Sequence, residues 1–208
     1  ESDYLGNVYV VGLYAGNIKF EPNGTIWTAP GGNPNSPFIA KFSSTGTLVW
    51  GYGWSCTNLT VITNIRIDNQ LNVYAVGGFE GTVDFDPRSG SSNVIQKTSS
   101  GIADMFLMKI NSTGVFKSVK TLGSSGDDLF SSVAIQDNGY LYLTGSFSGT
   151  VDFNWNAGTV NKSAINAADC FIMKTDTALD FKWVKTFGGL GNEYNRKIIF
   201  KDSLLINY

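Results

Sequence analysis

The chain has 208 residues, a formal net charge of −2, and 42% hydrophobic against 15% charged residues. That is the composition of a folded globular protein, and it offers no basic surface for nucleic acid or an anionic membrane. Histidine is absent, which removes the commonest general base and metal ligand, and the only cysteines are Cys56 and Cys170, too few for a disulfide framework.

No apolar run approaches the length of a membrane span, so no membrane insertion is expected. No charged leader with an apolar stretch opens the sequence, and the natural start of the gene is expected to precede Glu1. Glycine is abundant and proline scarce (24 against 5), with many small polar residues between short apolar runs. This predicts many turns and short strands, and almost no helix.

In chain order, the first predicted strand is Gly6-Asn7-Val8-Tyr9-Val10-Val11-Gly12. A long connection from Gly16 to Pro37 follows and opens with a strand-like piece, Gly16-Asn17-Ile18-Lys19-Phe20-Glu21-Pro22. Next come Phe38-Ile39-Ala40-Lys41-Phe42 and a strictly alternating strand with Leu48, Trp50, Tyr52 and Trp54 on one face. The order then recurs. Val61 to Asp68 forms a strand ending on an acid, and Leu71-Asn72-Val73-Tyr74-Ala75-Val76-Gly77 repeats the first. Gly81-Thr82-Val83-Asp84-Phe85-Asp86-Pro87 repeats the insert, and Phe106-Leu107-Met108-Lys109-Ile110 the strand after it. A third round runs through Ser131 to Asp137, Tyr140 to Gly145, Gly149-Thr150-Val151-Asp152-Phe153-Asn154, Phe171 to Lys174, and the stripe Phe181, Trp183, Lys185 and Phe187. Arg196 to Asp202 begins a fourth.

The closing glycines of the repeated Val-Tyr strand, Gly12, Gly77 and Gly145, lie 65 and 68 residues apart. A unit of four antiparallel strands repeated every 65–68 residues predicts an all-β fold of β-propeller blades, an open fragment of a larger propeller. The expected boundaries are an incomplete blade over 1–57, blades over 58–125 and 126–190, and the start of the next over 191–208. A β-solenoid has far shorter coils, and separate sandwiches would need linkers that are not seen.

The motif Asp-x-x-Gly-Asn-Val-Tyr-Val-x-Gly, then Gly-Thr-Val-Asp-Phe-Asp-Pro, Asp-x-Phe-x-x-Lys, a Trp, and Phe-Gly-Gly resembles the bacterial SBBP β-propeller repeats over essentially the whole chain. The matching residues include Asp3, Gly6, Asn7, Tyr9, Asp84, Phe85, Asp86, Asp104, Phe106, Lys109, Asp169, Phe171, Lys174, Trp183, Phe187, Gly188 and Gly189. The first unit departs from the pattern at Lys19, Glu21 and Ser36. The resemblance implies an extracellular or bacterial cell-surface protein and no single activity.

Asp84 and Asp86, two apart on a strand, put both carboxylates on one side, and Asp152 with Asn154 repeats the arrangement. Such oxygens hold Ca²⁺ in some proteins and tie turns to backbone N–H groups in others. No metal or cofactor is assigned. Gly188-Gly189-Leu190-Gly191-Asn192 resembles a phosphate loop but lacks the following helix, and reads as a turn between units. Without histidine, serine-triad and zinc chemistry fail. A paired-carboxylate glycosidase has no specific support.

The expected function is a non-catalytic binding, adhesion or scaffolding module, with a structural spacer or assembly subunit and a glycan hydrolase or lyase as alternatives. Its expected partners are a protein or glycan at a surface and the remaining blades of the same protein. Candidate binding residues are Trp27, Asp84, Asp86, Asp152 and Trp155, all on the long inserts. Each insert either presents a binding surface or merely caps its own unit with a hairpin.

Overall fold

The computed structural model of the protein describes residues 1–20, 26–28, 36–54, 56–86, 94–201 and 204–207. These residues form strands and turns, with no helix among them. In chain order the strands are β1 (Val8–Tyr14), β2 (Asn17–Lys19), β3 (Ile26–Thr28), β4 (Ser36–Phe42) and β5 (Leu48–Gly53). There follow β6 (Thr60–Ile67), β7 (Val73–Phe79), β8 (Thr82–Asp84), β9 (Gln96–Thr98), β10 (Asp104–Ile110) and β11 (Phe116–Leu122). The last are β12 (Leu129–Gln136), β13 (Tyr140–Asp152), β14 (Asn161–Asp176), β15 (Phe181–Phe187), β16 (Ile198–Lys201) and β17 (Leu204–Asn207).

They make an antiparallel three-stranded sheet β1-β4-β5, two four-stranded sheets, β6-β7-β10-β11 and β12-β13-β14-β15, and two-stranded ribbons β2-β3, β8-β9 and β16-β17. The all-β class holds. The propeller does not: the sheets stay open, and none closes into a barrel or curls as a propeller blade requires. An open fragment needs no closing strand pair, so the departure from the expected propeller lies in the uncurled sheets themselves. Repetition in sequence dictates repetition of strand pairing. It does not dictate ring closure.

The sheets are held by what alternation buries. One core cluster gathers Tyr9, Ile39 and Trp50 of the first sheet with Ile65, Val73, Phe79 and Phe106 of the second. Another joins Tyr74, Met105 and Leu107 of the second to Phe130, Val133, Leu143 and Phe171 of the third. Ile198 extends the series by packing with Ala134 and Tyr142. Thus Ile65, Val133 and Ile198 are buried, while Ile67 and Ile135 are half-buried; the Phe200 side chain lies outside the described residues.

The inserts are hairpins that add to these cores. Val83 and Phe85, and in the next unit Val151 and Phe153, are buried. Phe85 meets Phe79 and Phe106 with ring centroids 5.2 and 5.1 Å apart, and Phe153 meets Phe147 and Phe171 at 5.3 and 4.9 Å. Edge-on and tilted aromatic trios of this kind add to simple area burial. In the third unit the hairpin is continuous with β13 and β14 through a break in register after Ser148.

Candidate functional site

The turns that follow β6 and β12 build the site. In the first two units the sequence Asp-x-x-x-Asn-x-Tyr makes a locked turn. Asp68 Oδ1 accepts the Gln70 and Asn72 N–H groups at 2.9 and 2.8 Å, and Oδ2 accepts the Asn72 amide and the Tyr74 hydroxyl, both at 2.9 Å. Asp3 makes the same four bonds with Leu5, Asn7 and Tyr9. Burial alone would raise the Asp3 carboxyl, but these donors outweigh it and hold it below its ordinary value of 3.8. Burial, then the bond to Asp3, pushes the Tyr9 phenol well up.

Across the strand, the ammonium groups of Lys41, Lys109 and Lys174 lie 5.1, 5.2 and 5.2 Å from the ring centroids of Tyr9, Tyr74 and Tyr142. Lys109 also donates to the Thr177 carbonyl at 2.8 Å, which ties the second sheet to the β14–β15 turn.

The third turn departs from this pattern. Ile67 pairs with Val73 in β7 and Ile135 with Leu141 in β13, so Gln136, not Asp137, stands where Asp68 stands. The Tyr142 hydroxyl correspondingly donates to Gln136 Oε1 at 3.3 Å. The turn keeps the length of its counterpart and is closed in the same way, by Gly139 N–H to the Gln136 carbonyl at 3.0 Å, with Gly139 at φ 84° where Leu71 stands at 62°. Asp137 is left exposed at the turn. The strand expected over Ser131 to Asp137 runs as β12 from Leu129 and ends one residue earlier, at Gln136.

These turns surround a cleft of about 510 Å³. Its floor is Ile67, Ala134, Ile135 and Ile199; its rim is Arg66, Asp68, Asn69, Gln70, Gln136, Asp137, Thr177 and Glu1. Arg66 Nη1 bonds Glu1 Oε2 at 3.2 Å and its own neighbour's carbonyl, Ile65, at 2.8 Å. Of the three rim carboxylates, Asp68 is saturated by its turn and Glu1 is ion-paired, which leaves Asp137.

The sequence candidates sit elsewhere. Asp84 Oδ1 accepts the Asp86 and Ile95 N–H groups at 3.1 and 2.9 Å, and Asp152 Oδ1 accepts those of Asn154 and Val160 at 3.0 and 2.8 Å. Each carboxylate closes its own hairpin, which is why the acid recurs. Asp86 is buried. The Trp155 indole donates to the Leu179 carbonyl at 2.5 Å. Trp27 pairs with Ile18 through the backbone, and its side chain lies outside the described residues. Asp84, Asp86, Asp152 and Trp155 do not line the cleft.

Among the described residues no three acidic, cysteine or histidine side chains are grouped to hold a metal ion. Cys56 and Cys170 are buried and not joined to each other. No helix among the described residues is long and apolar enough to cross a membrane.

No family model matches the chain, and no curated protein does. The resemblance to SBBP repeats gains no support from these comparisons, and the open sheets overturn the propeller it implied. With the propeller falls the function built on it: a propeller module for adhesion or scaffolding, with its spacer and hydrolase alternatives, has no basis in these sheets.

Proposed function

We propose that the chain binds a small polyhydroxylated ligand, of monosaccharide to disaccharide size, in the cleft between the β6–β7, β12–β13 and β14–β15 turns, without transforming it. The observation that carries this reading is exposed Asp137, which stands in its turn where Asn69 stands in the turn after β6, on one rim with exposed Asn69 and Gln70. A volume of about 510 Å³ suits such a ligand. The amide and carboxylate rim fits hydroxyls, and the aliphatic floor fits the C–H face of a sugar ring. One free carboxylate supports binding rather than hydrolysis, which ordinarily uses two.

Calorimetric titration of the protein with a panel of mono- and disaccharides tests this. At least one should bind saturably, and Asn69→Ala or Asp137→Ala should each weaken it about 3- to 10-fold, the loss expected for one hydrogen bond. No heat across the panel, or binding indifferent to both variants, would defeat the proposal.

A further inference from the structure

A second repeated feature lies where consecutive sheets meet. Asp104 opens β10 of the second sheet and is 3% exposed; Asp128 precedes β12 of the third and is fully buried. The Asp128 N–H bonds the carbonyl of Ala103, so the two acids are brought together by the sheet junction itself. Both carboxyls bear on one link of chain. The Asp104 carboxyl lies so close over Gly123 that a side chain there would collide with it, and the next N–H, that of Ser124, donates to Asp128 Oδ2 at 2.6 Å. Asp128 Oδ1 accepts the Ser148 N–H at 2.9 Å. Asp104 Oδ2 accepts that of Ser100 at 3.0 Å, but Asp104 Oδ1 is buried with no hydrogen-bond partner.

The following junction repeats this. Asp169, 2% exposed, covers Gly188; Gly189 N–H donates to Glu193 Oε2 at 3.0 Å; and Asp169 Oδ1 is again buried without a partner. At the first junction the corresponding residues are hydroxylic, Ser36 and Thr60, both buried. The residue types of the pair thus vary together across the three junctions, acid with acid and hydroxyl with hydroxyl.

An isolated buried carboxylate oxygen is costly, and a second buried acid at the same junction doubles the charge to be offset. Among the described residues no ion pair reaches any of the four carboxyls. The charge that bears on Asp128 is that of Asp104 on β10; its chain neighbour Asp127 is exposed, and Ser124 and Ser148 supply only neutral donors. At the next junction the Cys170 thiol lies beside Asp169 and Glu193.

We propose that the two buried acids at this junction, Asp104 and Asp128, fold with one of them protonated, at Asp128, and act as a pH-sensitive clasp between the second and third sheets. Ionising both acids loosens the junction. Consistently, burial first, and the charge of Asp104 in addition, raise the Asp128 carboxyl above its ordinary 3.8 against the bonds from Ser148 and Ser124. A raised native pKa means that the folded state holds the proton longer than the unfolded chain. The stability it contributes is complete below 3.8 and is lost as pH rises through the native value.

Carboxyl ¹³C titration together with melting curves taken across acid to neutral pH, on the intact chain, tests the clasp. Asp128 should titrate above 3.8, and the melting temperature should fall as it ionises. Asp104→Asn, which keeps an acceptor for Ser100 N–H and removes the neighbouring charge, should move the Asp128 midpoint down and abolish that fall. Asp104→Ser, copying Ser36, should do the same if the asparagine variant fails to fold. An Asp128 midpoint at or below 3.8, or one unmoved in both variants, would overturn the proposal. So would calcium chloride raising the melting temperature of the wild type but not of Asp104→Asn, which would mark a cation site in place of the proton.

Discussion

Asp68 and Asp137 carry the same functional group at neighbouring turns and do opposite work. Asp68 accepts four hydrogen bonds that fix the turn after β6, whereas Asp137 is exposed at its turn. Asp68→Ala should cost about 2 kcal/mol of unfolding free energy, the order expected when bonds to a charged acceptor are lost, and Asp137→Ala less than about 0.5 kcal/mol. Urea denaturation of the two variants checks the contrast; equal losses would mean that the turn lock is misassigned. Leu71, at φ 62°, occupies the place that Gly6, at φ 79°, fills in the first unit. A branched side chain is strained there, so Leu71→Gly should raise stability by about 0.5–1 kcal/mol in the same measurement.

At the scale of elements, a bulge repeats in the edge-forming strands. The register slips between Ile62 and Asn64 in β6 and between Phe130 and Ser132 in β12. Opposite each slip stands a glycine, Gly77 and Gly145, whose α-carbon faces the carbonyl of Val61 or Leu129 with no space for a methyl. The extra residue is put to use: the Thr63 hydroxyl donates to the Phe130 carbonyl of the next sheet. Gly77→Ala should therefore cost about 3 kcal/mol or more, since the obstruction is backbone and cannot turn aside, and a thermal melt lowered by only a degree or two would contradict this.

The strands and their glycines were legible because alternation and recurrence are local properties of the chain. The recurring acids Asp84 and Asp152 were legible too, though recurrence reflects the closing of a hairpin as readily as the holding of a ligand. The replacement of the turn-locking acid by Gln136 could have been found by aligning Tyr142 with Tyr74 instead of Asp137 with Asp68. It is a weak signal beside the strong motifs around it.

Over the whole molecule, what sequence could not supply was the relation between sheets. The cleft gathers Asn69, Gln136 and Thr177 from turns far apart in the chain, and the carboxyl clasp joins the start of one strand to the approach of another. Neither exists until sheets pack, and whether a row of sheets closes into a ring depends on the geometry of that packing and not on the repeat itself. The insert hairpins branch from the strand ends opposite the cleft-lining turns, but the third reaches back along its sheet to the β14–β15 turn, where Trp155 bonds Leu179 and Asn156 bonds Asp180. The most direct measurement is an amide chemical-shift map of the protein titrated with the saccharide that gives the largest calorimetric signal. Shifts should concentrate at Asn69, Gln70, Gln136, Asp137 and Thr177; shifts confined to the hairpins of Asp84, Asp152 and Trp155, or absent altogether, would contradict a ligand site in the cleft.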